Sequence, residues 1–80
     1  MKYYHHSDGL FAGELRKIAD PAGVTLDQAC AVIDIISPDF ENTFYDQLAT
    51  DPDIHQQFAV RAGVSIDQAR QTLAGYVKLQ

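Results

Sequence analysis

Ala22-Gly23-Val24-Thr25-Leu26-Asp27-Gln28-Ala29 returns as Ala62-Gly63-Val64-Ser65-Ile66-Asp67-Gln68-Ala69, an offset of 40 residues. Six of the eight positions are identical, and the other two exchange Thr for Ser and Leu for Ile. The pairs Ile18/Phe58 and Ala19/Ala59 keep the same offset upstream. Each octet reads as a helix stop followed by a helix start. A glycine suits the left-handed residue that ends a helix, where a side chain would clash. The hydroxyl two residues on then caps the next helix. Thr25-Leu26-Asp27-Gln28 and Ser65-Ile66-Asp67-Gln68 both match the capping box, in which the hydroxyl accepts from the third helical amide and the Gln reaches back. Asp27 and Asp67 favour the positive end of the helix dipole. Capping thus accounts for most of the polar residues in the motif. Val24 and Val64 stand where a staple residue would meet Ala29 and Ala69.

Periodicity and breakers place the other helices around these two corners. Ser7 and Asp8 can start a first helix with the stripe Phe11, Leu15, Ile18 and Ala19, expected to end before Asp20-Pro21 because proline lacks an amide donor and restricts its neighbour. The second helix, from about Leu26 to Ile36, carries Ala29, Val32, Ile33 and Ile36 on one face. Leu26, Cys30 and Ile35 widen that face, which marks it as the most buried element. Ser37-Pro38 opens a third helix over 38–49 with Phe40, Phe44, Tyr45 and Leu48 inward. Asp51-Pro52 repeats the cap-and-proline device, since proline is favoured at the first helical position. The fourth helix carries Ile54, Phe58, Ala59 and Ala62, and the fifth carries Ile66, Ala69, Leu73, Tyr76 and Val77. Gly75 weakens that last helix by about 1 kcal/mol relative to alanine, so its end is expected to fray or bend.

The predicted fold is therefore all-α: a compact five-helix bundle built from two related helix-turn-helix hairpins joined by a bridging helix. One domain spans 1–80, with an N-terminal arm at 1–6, hairpin one at 8–36, the bridging helix at 38–49 and hairpin two at 52–79. Neither hairpin alone could bury its apolar side, so the two are expected to pack face to face. The chain has 80 residues, 46% of them apolar and 21% charged. That composition supports a small core and argues against disorder, and the length excludes a second domain or a large enclosed pocket. The sequence shows no long apolar span and no charged leader running into an apolar stretch, so a cytoplasmic location without membrane contact is expected. A single cysteine, Cys30, offers no disulfide and no paired metal knuckle, so packing must hold the fold.

The net charge of −5 is unevenly distributed. Residues 1–54 hold Lys2, Arg16 and Lys17 against ten acids, whereas 55–80 hold Arg61, Arg70 and Lys78 against Asp67. No Lys or Arg falls between Lys17 and Arg61, an interval that carries Asp20, Asp27, Asp34, Asp39, Glu41, Asp46, Asp51 and Asp53. A one-sign surface attracts basic partners, repels phosphates and keeps a small protein soluble.

The segment Ala59-Val60-Arg61-Ala62-Gly63-Val64-Ser65, followed by Ala69 and Leu73, resembles the helix-turn-helix of bacterial repressors. The matching parts are the small residue four before the turn glycine and the Gly-Val-Ser turn. Ala69 and Thr72 depart from the pattern, which usually has a larger Val or Ile there. The same run is similar to the N-terminal helical hairpin of histone-like nucleoid proteins, although those grip DNA with β arms that this chain lacks. Either resemblance covers about 20 residues, twice, and no whole-chain family is recognised. The helix-turn-helix resemblance implies DNA contact through Ser65, Gln68, Arg70 and Gln71, with Arg61 and Lys78 near phosphates. The surplus of acids opposes that reading, because non-specific DNA affinity depends on neutralising several phosphates.

Catalysis has little support. The chain has no Gly-rich phosphate loop, nucleophile elbow or HExxH motif. Cys30 reads as a small hydrophobe on a buried helix. His5, His6 and His55 lack a second ligand pair at metal spacing, and Asp51 and Asp53 lack the continuation of a calcium loop. No catalytic residue, metal or cofactor is therefore expected. The sequence predicts a non-enzymatic acidic interaction domain, acting as a monomer or homodimer. Asp39, Glu41, Asp46, Asp51 and Asp53 would dock a basic, nucleic-acid-handling surface of a partner, in the manner of small inhibitors and immunity proteins. The alternative is a helix-turn-helix DNA-binding regulator acting through residues 58–78.

Overall fold

A glycine followed two residues later by a hydroxyl produces the same corner twice. In the computed structural model, Gly23 and Gly63 both have φ 72°, the left-handed region that L side chains avoid. Thr25 and Ser65 follow in extended conformation, and both capping boxes are complete. The structure describes residues 12–36 and 45–79. Among them are five helices and no strand: α1 (Ala12–Ala22), α2 (Leu26–Asp34), α3 (Tyr45–Thr50), α4 (Pro52–Ala62) and α5 (Ile66–Lys78). The start of the first helix, the arm at 1–6 and most of the bridging helix expected over 38–49 lie outside the described residues.

Burial repeats with the same offset as the sequence. Ile18 and Phe58, Ala19 and Ala59, Ala29 and Ala69, Ile33 and Leu73, and Ile36 and Tyr76 are all buried. Together with Val32, Leu48 and Ile54 they make one core, against which Leu15, Ile35, Ala62, Val64 and Val77 pack in part. The Cα radius of gyration is 11.2 Å, in line with roughly 12 Å for a compact chain of this length. The bundle is all-α, as its sequence predicts.

Three local expectations are corrected. Helix α1 does not stop before Asp20-Pro21 but continues to Ala22, with Pro21 inside its last turn. Proline there deprives only the Lys17 carbonyl of an amide. The end is closed beyond it by Gly23 N–H donating to Asp20 O (3.2 Å) and Val24 N–H to Ala19 O (3.2 Å), the paired bonds of a Schellman turn. Gly75 neither bends nor frays α5, which runs on to Lys78. A Cβ built at Gly75 would lie 3.4 Å from Ile18 Cγ2, so the glycine marks where α1 crosses α5 closely. Ile66, expected on the inner stripe, is 53% exposed, whereas Thr72 is fully buried. The Thr72 hydroxyl donates to Gln68 O at 2.7 Å, which satisfies it within its own helix. The last helix is the hub of the packing, because α5 touches each of the other described helices, while α2 keeps only Asp27 and Ala31 exposed along its length, as expected of a deeply buried element.

Candidate functional site

The acidic corner is built by α3 and α4. Asp51 is the N-cap of α4: its Oδ1 accepts from Asp53 N–H at 2.9 Å, and Pro52 follows at the first helical position. Asp51 also closes α3, donating its own N–H to Gln47 O (2.9 Å). His55 completes the joint. Its ring is buried, and Nε2 donates to Leu48 O at 2.8 Å, satisfying a carbonyl of the last turn of α3 that has no helical partner. The corner is thereby held by a cap on one side and a buried side-chain bond on the other.

On this frame Asp46 and Asp53 are exposed and Asp51 is half-buried. Asp39 and Glu41 lie outside the described residues. The three described carboxylates are therefore not equivalent. Asp51 is engaged in capping, while Asp46 and Asp53 present their charge to solvent, Asp53 at the positive end of the α4 dipole.

The residues implied by the helix-turn-helix resemblance occupy the second corner and α5. Ser65 Oγ accepts from Gln68 N–H (3.0 Å) and Gln68 Oε1 accepts from Ser65 N–H (2.9 Å). The Gln68 Nε2 group donates across the molecule to Gly23 O at 3.0 Å. Arg70 pairs with Asp67 one turn back, and Gln71 Nε2 donates to Asp67 Oδ2 at 2.7 Å. The Arg70 guanidinium, and after it the Gln71 amide, hold the Asp67 carboxyl below its ordinary value. Arg61 is exposed on α4, and Lys78 is exposed in the last turn of α5.

Sequence reasoning missed three features. The sequence marks His55 only as a candidate metal ligand, yet it sits three and four residues before Phe58 and Ala59, on the buried stripe of α4. Thr72 lies between Ala69 and Tyr76 at helical spacing and is buried for the same reason. Lys17 joins Arg70 and Lys78 along a groove of about 420 Å³ between α1 and α5. A single sequence carries no direct signal for that last arrangement, because it depends on how the two hairpins pack.

Among the described residues no group of three or more His, Cys, Asp or Glu is placed to hold a metal ion. Cys30 is half-buried. No described helix is long and apolar enough to cross a membrane. No protein-family model, curated protein or solved structure matches the chain.

Proposed function

We propose that the chain is a non-enzymatic acidic interaction domain whose α3–α4 corner docks a basic surface of a partner that handles nucleic acid, as an inhibitor or immunity-type protein does. One observation carries the reading: Asp46 and Asp53 stand exposed on either side of a hydrogen-bonded joint, in the middle of a sequence interval without Lys or Arg. Complementary charge across an interface raises the association rate, and charges carried on helices joined by a cap and a buried side-chain bond need less ordering on docking. Asp51 supports the corner from within, and its replacement would be read mainly in stability.

The test is the kinetics of association with an Arg- and Lys-rich nuclease. The on-rate should fall steeply as salt rises, and Asp46→Lys with Asp53→Lys should slow it by about tenfold. Kinetics unchanged by that double reversal would refute the reading. A mobility shift of random duplex DNA at low salt, reduced by Arg70→Ala, would instead favour the helix-turn-helix alternative. Ser65 and Gln68 weaken that alternative, since their polar groups already bond to each other and to Gly23 O.

A further inference from the structure

We infer that the groove between α1 and α5 is a second docking site, one that takes an acidic amphipathic helix from a protein partner. The apolar part of the groove's lining includes Ile18, Ala74 and Gly75. Its rim carries Lys17 from α1 and Arg70 and Lys78 from α5. Among the described residues no Asp or Glu lines it, in a chain where acids outnumber Lys and Arg by 11 to 6. Half of the chain's Lys and Arg residues thus gather on one concave surface.

The spacing selects the occupant. Arg70, Ala74 and Lys78 recur at four-residue intervals, so they form one row on α5, and the two cations stand about 12 Å apart along its axis. A helix laid on that row would meet Ala74 midway, a small side chain that allows close approach. Its apolar residues would cover the apolar lining and Leu79, which is 39% exposed at the groove's edge. Carboxylates two turns apart on the incoming helix would reach the cations at either end. The rim is not purely basic in its surroundings, because Asp67 pairs with Arg70. Lys17 and Lys78 therefore supply most of the charge available to the ligand.

This groove-and-helix arrangement is a recurring recognition mode read as apolar anchors at i, i+4 and i+7 with polar flanks. It is independent of the acidic corner on α3 and α4. A partner using both surfaces would present one basic and one acidic element.

The test uses the full chain and a dye-labelled synthetic helix of about 15 residues, with leucines at i, i+4, i+7 and i+11 flanked by glutamates. Saturable binding should shift the amide resonances of Ile18, Ala74, Gly75 and Leu79. Lys17→Glu with Lys78→Glu should weaken it by about tenfold or more, and added salt should weaken it further. Both lysines are exposed, so the fold should survive, as far-UV dichroism would verify. Ala74→Leu, which fills the groove and keeps every charge, should also reduce binding, whereas Asp46→Lys with Asp53→Lys should not. The inference is overturned if a helix with lysines in place of the glutamates binds equally well, if the shifts map to α3 and α4, or if the lysine reversals change nothing. It is likewise overturned if dodecanoate occupies the groove and the acidic helix does not.

Discussion

At Gly23–Thr25 and at Gly63–Ser65 the backbone turns through nearly the same angles, yet only the second corner reaches across the molecule. Thr25 has φ −76° and ψ 166°, and Ser65 has φ −72° and ψ 160°. Each capping Gln bonds back to its own cap, but Gln68 also donates to Gly23 O in the other hairpin. Among the described residues Gln28 makes no such bond to Gly63. The downstream residues differ too. Cys30 and Ala31 of the first corner correspond to Arg70 and Gln71 of the second, and both of the latter bind Asp67. An identical corner thus serves as a plain turn in one hairpin and as a turn plus a clasp in the other.

The matched positions offer direct ways to test how far the symmetry extends. The largest effect is expected in the core, where Phe58→Ala should cost about 3–5 kcal/mol and Ile18→Ala about 2–5, with the cost set by how well each site collapses. Urea denaturation of the two variants measures the difference. Indistinguishable midpoints would show that the buried pair is more symmetrical than its side chains imply.

Next come the glycines. Gly23→Val and Gly63→Val should each destabilise by about 1–2 kcal/mol, since a β-branched residue is forced into the left-handed region. A Cβ at either site meets no heavy atom within 4 Å, so the cost is expected to come chiefly from backbone strain. Equal thermal shifts would sustain the equivalence of the corners, and a large inequality would break it.

A smaller effect separates the glutamines. Gln28→Ala and Gln68→Ala both remove half a capping box, but the second also removes the bond to Gly23 O, a further loss of about 0.5–1.5 kcal/mol. If the two variants were equally stable, the clasp would contribute nothing.

The smallest effect is electrostatic. Asp67 has its carboxyl lowered from the usual value of 3.8, chiefly by Arg70. A depressed folded-state value means that the carboxylate stabilises above the unfolded value and that this contribution fades as pH falls through the folded one. Asp67→Asn should therefore be less stable than the native chain near neutral pH and equal to it in strong acid. Asp67 is exposed, so salt should shrink the difference.

Much of the fold is legible in the sequence because its signals are local. A left-handed glycine, a hydroxyl cap and a Gln three residues on act within one turn of helix, and both octets contain all three. The cap at Asp51-Pro52 is legible for the same reason. What escaped depends on distant packing. Ile66 has the right spacing for the inner stripe, but only the crossing of α5 with its neighbours leaves it outside. Thr72 and His55 are polar residues on buried stripes, and each is made tolerable by a carbonyl, of Gln68 and Leu48 respectively, that no short-range pattern reveals. Pro21 breaks nothing, because it falls in the last turn of α1, where one missing amide is tolerated. The offset of 40 residues already places it opposite Arg61, inside the last turn of α4. For the candidate site, Asp46 and Asp53 were legible as surface charges and Asp51 as a cap, but the gathering of Lys17 with Arg70 and Lys78 was not.

The position of α5 has a consequence for how the molecule comes into being. Every other described helix packs against it, yet it follows all of them in the order of synthesis. A nascent chain ending near residue 65 would lack the helix against which the other described ones pack, and short isolated helices are marginal in water. Cooperative collapse should accordingly wait for translation of the final helix, leaving the earlier segments exposed to chaperones and proteases until then.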